Sequence, residues 1–159
     1  MLDPVVARSI AEARADLVTL KIGINIVNGD VMRARAFVPA VHGFLDTVRQ
    51  GHPSIPIAVI TALACPIHED ATGPVRQGPD GRAAATPRDI PEGDGSLTLR
   101  RTRALIERVV ADRGDVTLVN GLDLLGLDDG HLPDNLHPDR VGHDLIAQRF
   151  APMAQALLG

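Results

Sequence analysis

Tryptophan and tyrosine are absent from this 159-residue chain, and phenylalanine occurs three times, at Phe37, Phe44 and Phe150. With so few aromatic faces there is no stacking platform for single-stranded nucleic acid. One cysteine, Cys65, excludes an intrachain disulfide and any cysteine-cluster zinc site. It is read as a small buried apolar group. Acidic residues number 20 against 16 basic, for a net charge of −4. That balance opposes a general affinity for polyanions, so nucleic acid is not an expected partner. No apolar run reaches the roughly 18 residues of a membrane span. Met1-Leu2-Asp3-Pro4 lacks the basic start and long apolar run of a signal peptide. Location stays open, with the cytoplasm as the default. Serine is also scarce: Ser9, Ser54 and Ser96 are the only three. No residue pattern asks for a cofactor.

What is present is a core-forming composition, 45% apolar, of a size suited to one domain over residues 1–159. Residues 4–13 read as a short helix, with Asp3 as cap and Pro4 in the first turn. Residues 15–24 read as a buried strand that stops at Gly23-Ile24-Asn25. Residues 31–49 carry Val31, Phe37, Val41, Phe44, Leu45 and Val48 near helical spacing. Pro39 and Gly43 imply a kink there, or a helix starting later than Val31. Residues 56–64 are apolar without alternation, as in a parallel strand covered on both faces.

Residues 65–95 hold five prolines and five glycines and show neither helical nor strand period. They read as one long loop: a lid, a subunit contact or a disordered segment. Beyond them come an amphipathic helix over 97–112 with Ser96 as its cap, a third strand over 115–120, and a last helix over 138–158. Helix and strand alternate throughout, which predicts an α/β domain with a parallel sheet and helices on both faces.

Ligands of such sheets bind beyond the C-terminal ends of the strands. Two polar groups fall there. Asn25 follows the first strand, where it closes a turn or aims its amide at a bound oxygen. The run Asp134-Asn135-Leu136-His137-Pro138 precedes the last helix. Asp134 can accept from one imidazole nitrogen of His137 and free the other as a base, or simply shape a polar turn and cap the helix. Elsewhere, His42 reads as a helix-packing or surface residue. His68-Glu69-Asp70 reads as solvated loop rather than a metal site, and His131 and His143 receive no role.

Gly23-Ile24-Asn25 followed by Asp134-x-x-His137-Pro138 resembles the SGNH or GDSL hydrolases, a family of esterases, lipases and acylhydrolases. Gly142 to Ala147 also looks like the helix after that family's last block. The resemblance implies a flavodoxin-like three-layer α/β/α fold. It makes Asn25 an oxyanion-hole donor, His137 the general base and Asp134 its orienting acid, acting on a small ester or acylated substrate.

The family's Gly-Asp-Ser block, which carries the nucleophile, has no counterpart before residue 15. Gly93-Asp94-Gly95-Ser96 imitates it in the wrong place, so no nucleophile is identified. The chain is therefore expected to hold three core strands of an incomplete sheet, truncated at its N-terminal side, and to be inactive alone. The alternative is a non-catalytic binding or assembly module that self-associates or takes a partner through a bare strand at residues 16–22. A third reading, an unrelated flavodoxin-like regulator, predicts that Asn25 and His137 lie far apart.

Overall fold

The computed structural model describes residues 2–89, 91 and 93–159. The first helix, α1 (Pro4–Glu12), starts as its sequence dictates. The Asp3 carboxylate accepts the Val5 N–H, and Pro4 stands where an N–H would have no partner. Strand β1 (Val18–Lys21) leads into a short helix, α2 (Ile24–Asn28), and then α3 (Ala34–Gly51). Helix α3 begins three residues after Val31 and keeps Pro39 in its second turn. It buries Phe37, Val41, Phe44, Leu45 and Val48 along one stripe.

Strand β2 (Ile57–Ile60) is buried at every residue. It is the centre of a parallel sheet of order β1-β2-β5, where β5 is Thr117–Val119. Val18 is opposite Ile57 on one side of the centre, and Ala58 is opposite Thr117 on the other. Successive β2 side chains point to opposite faces. Ile57 and Val59 join the larger core with α1, α3 and α4 (Leu99–Arg113). Ala58 and Ile60 join a smaller one with Leu124 of α5 (Gly121–Leu124) and with Ile146, Phe150 and Met153 of α6 (Arg140–Leu158). The result is the three-layer α/β/α arrangement the sequence predicts.

Three local expectations fail. Residues 65–95 are not without structure: they contain a 3-10 turn (Pro66–His68) and an antiparallel hairpin of β3 (Val75–Gln77) and β4 (Ala83–Ala85). The strands are too short to show a period. The turn was legible, because Gly78-Pro79-Asp80-Gly81 places Pro where φ is preset and Gly81 at φ +79°. Gly81 N–H donates to the Gly78 carbonyl at 3.0 Å and closes that turn.

The cap of α4 is Thr98, whose hydroxyl accepts the Arg101 N–H at 3.2 Å. Ser96 instead is buried and donates its hydroxyl to Asp94. Finally, α6 starts at Arg140 behind Asp139, whose carboxylate accepts the Gly142 N–H at 2.8 Å. Pro138 therefore lies before the cap, and His137 sits in the connecting loop rather than at the helix entry.

Candidate active site

At the end of β1 the Ile22 N–H still pairs with the Ile60 carbonyl, at 3.0 Å. Gly23 then takes φ +133°, and a Cβ there would meet Ala62 Cβ at 3.1 Å and Thr102 Cγ2 at 3.2 Å. Only glycine suits that combination of backbone and space. It turns the chain at once into α2, so Asn25 lies in a first helical turn rather than in an open turn. Gly23 occupies the cap position without a side-chain bond, and Asn25 is exposed beside it.

On the facing loop, Asp134 is enclosed by its own neighbours. Its Oδ1 accepts the N–H groups of Leu136 and His137, at 2.9 and 2.7 Å. Its Oδ2 lies 2.7 Å from Nδ1 of His137. The His137 N–H, then its ring, then the Leu136 N–H hold the carboxyl down at about 2. An ionised carboxylate can only accept, so Nδ1 carries the proton and Nε2 is left with a lone pair. The ring is open to approach, with 75% of its side-chain surface exposed. Asp134 does not cap the last helix; Asp139 does.

Asn25 and His137 are among the residues lining one hollow of about 410 Å³, which runs along β1 from Thr19 to Lys21 and past its C-terminal end. Its walls are mostly apolar and include Ile10, Ile24, Phe44, Leu63, Leu132 and Leu136. Among the described residues none of the three serines lines it. Ser9 is exposed on α1 and donates to the Val5 carbonyl. Ser54 stands beside a different hollow, at the N-terminal end of β2. Cys65 does line it but is buried. Burial, with the Glu69 charge next, pushes its thiol up to about 11. It is a weak donor to the Asn135 carbonyl at 3.5 Å, and a protonated thiol is a poor nucleophile.

The floor of the hollow is held by a pair that sequence spacing does not reveal. Arg103 on α4 meets Glu69 through Nη1 at 2.8 Å and Nη2 at 2.6 Å. Its Nε donates to the Ala62 carbonyl at 2.9 Å, and Glu69 Oε1 accepts the Cys65 N–H at 3.2 Å. Residues 62–65 are thus tied to α4. His68 and Glu69 are both buried, which corrects the reading of a solvated loop there. Burial also moves His68 below its ordinary value, favouring the neutral ring. Asp70 alone of the three is exposed, where it pairs with Arg100. His131 lies 3.4 Å from Asp139, His143 is exposed and His42 half-buried. Among the described residues, no group of three or more His, Cys, Asp and Glu is placed to hold a metal ion. No helix among them is long and apolar enough to cross a membrane.

The parallel sheet between two helical layers is a fold this chain shares with solved structures of an acyltransferase, a GDSL-like lipase and a carbohydrate esterase. In particular, the chain is similar over 99% of its length to the salicylyl-acyltransferase SsfX3 of a tetracycline biosynthetic pathway, at TM-score 0.71 and 24% identity. A GDSL-like lipase from Bacteroides ovatus matches over 99% of this chain at TM-score 0.65 and 22% identity. A carbohydrate esterase of family 3 from Talaromyces cellulolyticus matches over 96% at TM-score 0.62 and 18% identity. This chain spans 43%, 40% and 66% of the lengths of those three proteins. No protein-family model matches it, and no curated protein does by sequence.

Proposed function

We propose that this chain carries the base, its orienting acid and an oxyanion donor of an SGNH-type ester hydrolase, without a nucleophile of its own. The observation behind this reading is the Asp134-bound ring of His137 facing the same hollow as Asn25. The fold neighbours are an acyltransferase, a lipase and an esterase, which supports acyl transfer as the reaction class.

In that reaction a hydroxyl oxygen attacks an ester carbonyl. Nε2 of His137 takes the hydroxyl proton and later returns it to the departing alcohol. Asp134 keeps Nδ1 protonated and stabilises the imidazolium that forms. The Asn25 amide donates to the oxygen on which negative charge develops. The apolar walls suit the hydrocarbon part of an acyl group. With the nucleophile lacking, at most about 10³–10⁴-fold catalysis over water survives in a fully assembled site. The lone chain is therefore expected to be inactive.

Two measurements test this. Purified chain should show no p-nitrophenyl acetate turnover that depends on His137; turnover abolished by His137→Ala overturns the inactivity. A short-chain alkyl ketone, which mimics the acyl carbonyl, should shift the side-chain NMR signals of Asn25 and His137 together. Signals that ignore it, or respond at only one residue, overturn the shared site.

A second reading has its own support. Among the described residues, strand β1 is paired on one side only, with β2. The N–H groups of Val18 and Ile22 turn inward to Pro56 and Ile60. In a strand the alternate residues, Thr19 and Lys21, then face the open side with their backbone groups. Such an edge can take a further strand from a second copy or another protein.

A further inference from the structure

We infer that the β3–β4 hairpin is a strut that sets the position of His137, with Asn135 as the positioning residue between them. The inference rests on His137 being the base of the proposed site. Ala83 in β4 is opposite Gln77 in β3, yet its polar backbone groups both serve the other loop. Its N–H donates to the Asp134 carbonyl at 2.9 Å. Its carbonyl accepts Nδ2 of Asn135 at 3.1 Å. Two bonds of this kind extend the outer edge of β4 by a short stretch of the His137 loop, 52 residues away along the chain.

Asn135 is suited to the junction. It stands at φ +69°, a conformation that Asn tolerates better than other side-chain-bearing residues. That turn lets the next two N–H groups curl back onto the Asp134 carboxylate. On its other side the Asn135 carbonyl takes the Cys65 thiol. Asn135 is thereby held between the hairpin and the end of the β2 segment. Thr86 N–H to the Pro74 carbonyl at 3.1 Å and Arg88 Nη1 to the Gly73 carbonyl at 2.8 Å close the base of the hairpin, and Arg88 ties that base to the body of the fold through the Asp30 carboxylate. The loop carrying the base has few other anchors, since Asn135 N–H to Leu132 and Asp139 N–H to His131 both stay within it.

The test uses two variants and a readout that needs no catalysis. Ala83→Pro deletes the N–H that serves Asp134 and leaves the β3 ladder intact, because that N–H points away from β3. Asn135→Gly keeps the left-handed backbone and deletes the amide bond to Ala83. Carboxyl ¹³C titrations follow Asp134, with Asp129 as an internal control, since Arg149 and the Gly126 N–H also hold its carboxyl at about 2. In both variants the Asp134 midpoint should rise from about 2 towards the ordinary value of about 3.9, while Asp129 stays put and the chain melts as before. An unchanged Asp134 midpoint in both overturns the strut. If Ala83→Pro also moves Asp129, the fold itself has failed and Asn135→Gly decides alone. A shifted Asp134 midpoint in a chain whose His137 ignores the alkyl ketone sinks the hydrolase reading and keeps the strut.

Discussion

Asp134 shows how one carboxylate can gather its own neighbours. Its three partners all come from the two residues Leu136 and His137. The resulting pKa of about 2 lies below the unfolded value of about 3.9. Between those values the unfolded chain binds more protons than the folded one, so stability rises with pH across the window. The contribution is complete above about pH 3.9 and disappears as pH falls through 2. Asp134 is half-exposed, so solvent screens the effect and keeps it small. Urea midpoints measured from pH 5 to pH 2 should fall less steeply in Asp134→Asn than in the natural chain. At Gly23 the constraint is steric. Gly23→Ala should lower the melting temperature and move the Asn25 signals, because a methyl group there meets Ala62 and Thr102 in a backbone conformation L-residues rarely adopt.

Among the elements, the connection between β2 and α4 carries an unusual share of the site. Arg103 and Glu69 are buried as a bidentate pair whose remaining bonds go to the backbone of residues 62–65. Removing one partner leaves an uncompensated buried charge. Arg103→Leu should therefore cost about 3–5 kcal/mol in denaturant unfolding. The double change Arg103→Leu with Glu69→Leu should recover much of that loss. An equal loss in both would mean that the bonds to Ala62 and Cys65, not the charge pairing, hold the floor of the hollow. Helix α3 supplies a simpler contrast. Leu45 is fully buried, so Leu45→Ala should cost about 2–5 kcal/mol through lost contacts and the cavity left behind.

At the level of the whole molecule, the sheet has unequal edges and unequal faces. One face is covered by α1, α3 and α4, the other by α5 and α6. The outer edge of β1 carries no strand among the described residues. If that edge takes a second copy, light scattering after size exclusion should return a dimer. Thr19→Pro should then convert it to monomer by deleting an outward N–H. A monomer at all concentrations removes self-association. The question matters for function because the same edge borders the hollow shared by Asn25 and His137.

Periodicity and punctuation were enough to read the three strands, the main helices and their parallel arrangement, because burial on both faces leaves an unbroken apolar run in β2. They were also enough to read the Asp134–His137 hydrogen bond, which joins residues three apart. Elements shorter than a period escaped: β3 and β4 have three residues each, and their only local mark was the Pro79-Asp80-Gly81 turn. Two helix starts were misread by two residues, with Ser96 taken as the cap in place of Thr98 and Pro138 as the first helical residue in place of Arg140, since several neighbouring residues suit a helix start. Long-range polar pairs left no trace in spacing. Arg103 finds Glu69 across 34 residues, and Asn135 finds Ala83 across 52. Local chemistry decides what a residue three or four places away can bond. Which distant carbonyl or carboxylate comes within 3 Å depends on how the layers pack, and that belongs to the tertiary structure alone.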